Sequence, residues 1–233
     1  MNLWERALDL IFPPKCPFCR RVLEDPRAPA CPGCVPGLPW LEGDGRSVEH
    51  ADGCFSPLAY RDAVPGAVRR YKFGRVRALC RPFAGLMAQC LDGHLEQRPD
   101  LICWAPLSRQ RLRERGFDQA ELLAREVGRL LSVPVRPALC KPSHTAAQSG
   151  LEGLADRRAN VRGAYALLPG ADLTGKRVVL VDDVVTSGST LGACAALLRQ
   201  GGAGPVYCLT LAQARGGIEE PSGKNPKIVR KDG

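Results

Sequence analysis

The chain has 233 residues, 45% hydrophobic and 24% charged, with a formal charge of +9. This composition excludes a disordered chain, a collagen-like repeat and a coiled coil, and the length fits one ordinary domain plus a small module. No run reaches the roughly 18 apolar residues of a membrane span, and Glu5 and Asp9 fall where a secretory signal would be apolar, so a cytoplasmic protein without membrane insertion is expected.

Residues 1–12 read as a short amphipathic helix, with Leu3, Trp4, Ala7, Leu8 and Ile11 on one stripe. Two C-x-x-C pairs follow, Cys16-Pro17-Phe18-Cys19 and Cys31-Pro32-Gly33-Cys34. Each such knuckle presents two sulfurs from a tight turn, and four thiolates suit tetrahedral zinc. A segment this short buries no core of its own, so a structural zinc ion held by Cys16, Cys19, Cys31 and Cys34 would supply its folding energy. Cys54, Cys80, Cys90, Cys103, Cys140, Cys194 and Cys208 sit mostly among apolar neighbours. They read as small buried hydrophobes.

Residues 41–53 are acidic and glycine-rich and read as a linker or loose hairpin. A strand is expected over 54–60, and helices over 63–73 and 79–91. Charge is uneven here: residues 61–115 carry 12 basic and 5 acidic side chains. A belt of that sign attracts polyanions, either nucleic acid or phosphorylated small molecules.

From residue 101 the pattern alternates. Apolar runs at 101–105, 178–181 and 206–212 read as buried parallel strands. Asp118-Gln119-Ala120-Glu121 is a capping box that opens a helix to about residue 131. A further helix over 190–200 is stopped by Gly201-Gly202. Strands alternating with helices imply an α/β fold with a mainly parallel sheet flanked by helices. Residues 216–233 lack periodicity and read as a disordered tail. The expected organisation is a helix and zinc module over 1–40, an α/β domain over 41–215 and the tail over 216–233.

The segment VVLVDDVVTSGST at 178–190 carries the most chemistry. A buried strand ends in Asp182 and Asp183, and a short turn of hydroxyls and glycine then runs into a helix. Ligands bind at the carboxyl ends of parallel strands. Gly188 permits close backbone approach, and the amides of 187–190 open a helix N-terminus suited to an anion. Thr186, Ser187, Ser189 and Thr190 add hydroxyls, while the acids suit a vicinal diol. Phosphate plus diol describes a ribose 5-phosphate. Upstream, Gly170 to Arg177 nearly spells a P-loop, but Arg177 stands where a Ser or Thr must reach magnesium, and the motif precedes a strand.

DDVVTSGST resembles the signature of the type I phosphoribosyltransferases, which bind phosphoribosyl pyrophosphate (PRPP). The resemblance implies that Asp182 and Asp183 hold the ribose hydroxyls, that Thr186, Ser187, Gly188, Ser189 and Thr190 hold the 5-phosphate, and that magnesium accompanies PRPP. It places the pyrophosphate at Ser108, Arg109 and Arg115, in a stretch with four arginines in seven residues. Arginine forks suit that task. The polar stretch 141–165 resembles a loop that closes over substrate, with Gln148, Arg158 and Asn160 as its polar candidates and His144 as a possible general base.

The cysteine knuckles, YKFGRVRALCRPFAGLMA, PLSRQRLRERGFDQAELLA, QSGLEGLADRRANVRGAY and DDVVTSGST together resemble the ComF family over most of residues 10–215. These are competence-associated proteins that join a zinc module to a phosphoribosyltransferase domain. Asp118 stands where the family usually has Asn, and Lys141 where it often has Arg. Two functions follow from the resemblance. One is transfer of a phosphoribosyl group to an unidentified acceptor, linked to DNA uptake. The other is a non-catalytic competence factor that holds single-stranded DNA, works with other competence proteins and keeps a regulatory or vestigial PRPP site. Tyr71, Phe73, Trp104 and Phe117 are its candidate base-stacking residues.

Overall fold

A computed structural model describes residues 13–25, 28–43, 45–74, 76–142 and 164–214. The expected N-terminal helix and C-terminal tail lie outside the described residues.

Among these residues the strands are β1 (Gly53–Phe55), β2 (Leu58–Ala59), β3 (Leu101–Trp104), β4 (Leu139–Cys140), β5 (Ala166–Leu167), β6 (Val178–Val185) and β7 (Val206–Gln213). The α-helices are α1 (Val64–Phe73), α2 (Cys80–Asp92), α3 (Arg109–Arg115), α4 (Gln119–Leu131) and α5 (Ser189–Gln200). The main sheet has five strands in the order β1-β7-β6-β3, with β2 also on β7, and every pairing is parallel. β4 and β5 form a small antiparallel pair.

The sheet is apolar on both faces because both are covered. Ile102, Val179, Val181 and Leu209 join the core built with α1, α2 and α4. Cys103, Val178, Leu180 and Cys208 face the other core, which includes Leu191, Cys194, Ala195 and Leu198 of α5. Each fully buried aliphatic side chain in these layers contributes about 1.5–3 kcal/mol. α1 buries Val64, Ala67, Val68 and Tyr71, the one-face spacing of an amphipathic helix. α4 approaches the following segment closely at Gly128, where a Cβ would collide with Val135 and with the Val133 carbonyl oxygen.

The cysteine knuckles belong to the first core. Cys16, Phe18, Leu23, Ala30 and Leu38 are buried within it, and Phe18 lies 6.5 Å from Phe83 of α2 between ring centroids. Cys54, Cys80, Cys103, Cys194 and Cys208 are buried thiols, while Cys90 and Cys140 are half-buried.

Several local expectations differ from the structure. The strand expected over 54–60 is split at Ser56-Pro57, where Pro57 has no N–H for a ladder. β6 runs past the expected end at 181, because Val184 and Val185 keep pairing with Ala212 and Gln213; the two acids therefore lie inside the strand. The arginine stretch after β3 is mostly helix, α3, opened by Ser108, whose Oγ accepts from the Arg111 N–H at 3.3 Å. Of the capping box, Asp118 does its half, accepting on Oδ1 from the amides of Ala120 and Glu121. The Glu121 carboxylate turns to Arg125.

Candidate functional site

Two constellations stand out. The first is the cysteine cluster. Cys16, Cys19, Cys31 and Cys34 place their sulfurs within 4.8 Å of one another, and Cys19 Sγ lies 3.5 Å from Cys31 Sγ. A tetrahedral centre with zinc–sulfur bonds of about 2.3 Å spaces its sulfurs by about 3.8 Å, so the cluster fits such an ion. Tight backbone bonds shape it: the Arg20 N–H donates to the Cys16 carbonyl and the Cys34 N–H to that of Cys31. Burial opposes ionisation of Cys16, but amide donors from Cys19, Cys31 and Phe18 outweigh it and bring the thiol down to about 7. Cys31 and Cys34 are pushed up, first by burial and then chiefly by the neighbouring sulfurs. A bound cation relieves that conflict.

The second constellation lies at the carboxyl end of β6, a central strand of the sheet. Gly188 has φ +82° and is the N-cap of α5; having no side chain it caps no amide itself, and Ser187 Oγ accepts from the Ser189 N–H at 3.4 Å. That left-handed conformation favours glycine, and it leaves the first amides of a twelve-residue helix facing outward. Thr186 and Ser187 are exposed, and Gly188, Ser189 and Thr190 half-exposed. Ser187 Oγ lies 2.9 Å from Ser189 Oγ. The turn is backed by the segment before β1: Val48 would meet a Cβ on Gly188, and the Glu49 carbonyl one on Gly192.

Successive strand residues face opposite sides, and the acids follow that rule. Asp183, nearly buried, faces α1, where Lys72 Nζ sits 2.8 Å from its Oδ1. Asp182 lies on the other side, where burial first and then the Asp182 charge raise the Cys194 thiol of α5. Its Oδ1 accepts from the Asp183 N–H at 2.7 Å. Burial, then the charge of Asp183, push the Asp182 carboxyl up to about 8. Lys72 thus pairs with Asp183, while the Asp182 carboxyl keeps its proton to higher pH than a free carboxyl does.

The loop after β3 leaves the sheet beside the β6 turn, because β3 pairs with β6 through Trp104 opposite Val181. Asp118 fastens this loop, its Oδ2 accepting from the Leu107 N–H at 3.0 Å. Ser108 is half-exposed and Arg109 exposed. Arg115 turns toward α1 and α4 instead: it donates to Gln119 Oε1 at 2.8 Å and its guanidinium lies 5.2 Å from the Phe73 ring centroid.

Lys72, Tyr165 and Arg46 were not read from the sequence as candidate site residues, whereas Arg111 belongs to the arginine stretch that was. Lys141 Nζ lies 4.8 Å from the Tyr165 ring centroid. Burial and, less strongly, Arg111 lower the Lys141 ammonium. Burial, followed by the charges of Cys194 and Asp182, raises the Tyr165 phenol to about 12. A tyrosine closing a polar stretch and a lysine opening it were the available signals. Gln148, Arg158, Asn160 and His144 lie outside the described residues.

A family profile described as phosphoribosyl transferase domain matches residues 121–232. Competence protein F of Haemophilus influenzae is 28% identical over 223 residues, covering 86% of this chain and 97% of that protein. DNA utilization protein YhgH of Salmonella typhimurium is 31% identical over 208 residues, covering 83% of this chain and 88% of its own. Among solved structures, the glutamine PRPP amidotransferase from B. subtilis matches at 22% identity with a TM-score of 0.39, over 59% of this chain and 26% of that one.

Proposed function

Because the chain belongs to the ComF family of phosphoribosyltransferase-like proteins, we propose that it binds magnesium–PRPP at the β6–α5 turn and transfers the phosphoribosyl group to an acceptor, in a cytoplasmic role linked to DNA uptake. The observation that carries this reading is the N-terminus of α5, entered through Gly188 at φ +82° with no cap from that residue, a few positions after two acids in a central parallel strand. The 5-phosphate would take the amides and hydroxyls of Thr186, Ser187, Gly188, Ser189 and Thr190. The ribose hydroxyls would rest on Asp182 and Asp183, and the pyrophosphate would face Ser108 and Arg109, with Arg115 reaching it only by leaving Gln119.

In the transfer, the bond from ribose C1 to the pyrophosphate oxygen breaks, C1 gains positive charge, and the acceptor's lone pair forms the new bond. Magnesium, when bound, supplies charge neutralisation on the leaving pyrophosphate. The acid pair offers the oxygen donors that this ion takes. A carboxylate held near C1 stabilises the developing cation by typically ~2–4 kcal/mol. The DNA-uptake link rests on the names of the relatives, a competence protein and a DNA utilization protein. No helix among the described residues is long and apolar enough to cross a membrane.

Thermal melting with magnesium and PRPP tests the reading. A ligand at a hundred times its Kd stabilises by about 2.7 kcal/mol. The parent should shift upward, and the Asp182→Asn/Asp183→Asn double variant should not. A parent that melts at the same temperature with and without PRPP defeats the proposal.

Single-stranded DNA binding is a second reading, favoured by the exposed Arg109, Arg111 and Arg113 of α3. The stacking residues fare worse. Tyr71, Trp104 and Phe117 are buried, which leaves Phe73, exposed with the Arg115 guanidinium over its ring, as the one stacking candidate among them on the surface. If DNA binds, it does so through phosphates, so anisotropy of a labelled oligonucleotide must fall steeply with salt.

A further inference from the structure

The ion pair between Lys72 and Asp183 joins a helix to the centre of the sheet, and no motif in the chain announced it. Lys72 is the ninth residue of the ten-residue helix α1. Its neighbour Tyr71 is fully buried, donates to the Gln119 carbonyl at 3.0 Å and meets the Phe83 ring edge-on at 5.6 Å. That anchor fixes where the Lys72 ammonium can reach. Its side chain is only 21% exposed, and Nζ meets Asp183 Oδ1 at 2.8 Å. Half-buried ammonium groups are held by a partner. Asp118, the other acid on this side, already spends Oδ1 on the α4 amides and Oδ2 on Leu107.

We propose that Lys72 is a positioning residue for sugar recognition: by holding Oδ1 of Asp183, it turns the other oxygen of that carboxylate toward the ribose hydroxyls. The inference rests on the PRPP-site reading above. It makes Lys72 a determinant of sugar selectivity, since it acts on the diol and leaves the phosphate turn alone. One oxygen of Asp183 is committed to the protein, and the remaining one can accept a hydroxyl proton only while Lys72 stays in place. Recognition of a ribose 5-phosphate thus depends on α1 as well as on the strand-turn-helix unit.

The test measures the affinity of the full chain for ribose 5-phosphate and for inorganic phosphate by titration calorimetry, in the parent, Lys72→Met and Lys72→Arg. Lys72→Met keeps the length of the chain and removes the charge; ligand-free melting shows that each variant is folded, and Lys72→Gln replaces any that is not. The expected result is roughly tenfold weaker ribose 5-phosphate in Lys72→Met, unchanged inorganic phosphate, and partial recovery in Lys72→Arg. Equal losses for both ligands, or no loss for either in a parent that binds ribose 5-phosphate, overturn the assignment. A parent that binds neither compound defeats the underlying PRPP reading instead, so the two failures are distinct.

Discussion

Arg46 donates from Nη1 to the carbonyl oxygen of Thr186 and, at 3.3 Å, to that of Ala214. Thr186 begins the β6–α5 turn proposed to take the phosphate, and Ala214 directly follows β7. One side chain from the glycine-rich segment before β1 therefore ties together the two chain ends that frame the turn. The same segment pairs with the sheet, Arg46 bridging antiparallel to Cys54.

Loss of that tie should loosen the turn without unfolding the sheet. A hydrogen bond from a charged donor is worth about 1.5–3 kcal/mol, less where solvent competes, and Arg46 is half-exposed. Arg46→Met is expected to lower stability by roughly 1 kcal/mol and to weaken PRPP binding about as much, near fivefold. Melting and calorimetry check both. An unchanged affinity would mean that the turn is held without Arg46.

Asp182 gives a pH dependence whose sign can be fixed. Its carboxyl is raised to about 8 by burial and by Asp183, against about 3.9 in an unfolded chain. Between those values the folded state holds a proton that the unfolded state has lost, so stability falls as pH rises. The contribution is complete below about 4 and is lost as pH passes through 8. Asp182→Asn abolishes the titration. Its melting temperature should gain on the parent steadily from pH 5 to pH 9; parallel curves for the two proteins would contradict the assignment.

The large elements could be read from the chain because each carries its own pattern. Ile102, Val179 and Leu209 sit in continuous apolar runs, and α1, α2 and α4 show one-sided burial at helical spacing. The turn at 186–190 was also legible as a strand-to-helix turn, since hydroxyls and a glycine stand there in a row. Other features escaped for physical reasons. α3 reads RQRLRER, with Leu112 as its lone apolar residue, so no stripe marked it as a helix. β4 and β5 have two residues each, too few for any period. Lys72 and Arg46 act on partners 111 and 140 positions away, and only the fold brings such pairs together.

Gly188 should tolerate no side chain. At φ +82° it occupies a left-handed conformation that costs other residues about 1–2 kcal/mol. A Cβ there meets Val48 at 3.4 Å, an ordinary contact, so backbone conformation is the cause and crowding is not. Gly188→Ala should lower stability by about 1 kcal/mol and weaken phosphate binding further, because a strained turn no longer holds its amides in place for the anion. Gly188→Asn, which adopts this conformation more readily, should recover part of the stability and none of the binding. Equal stability of the Ala variant and the parent would refute the strain argument.

The zinc prediction follows from where the cysteine cluster sits. Phe18, between Cys16 and Cys19, is 9% exposed and packs toward Phe83 of α2, while Arg70 of α1 donates to the Pro17 carbonyl. The knuckle thus touches α1 and α2, two of the helices that flank the sheet, and α1 is the helix that carries Lys72. Elemental analysis should find about one zinc per chain, lost in Cys16→Ser/Cys19→Ser. Removing the metal leaves four sulfurs within 4.8 Å of one another with no cation between them, so a chelator should lower the melting temperature by several degrees and pull Phe18 away from Phe83. Because α1 would shift with it, affinity for ribose 5-phosphate should fall as well. A metal-free protein that melts and binds like the parent would show that the cluster neither holds zinc nor supports the core.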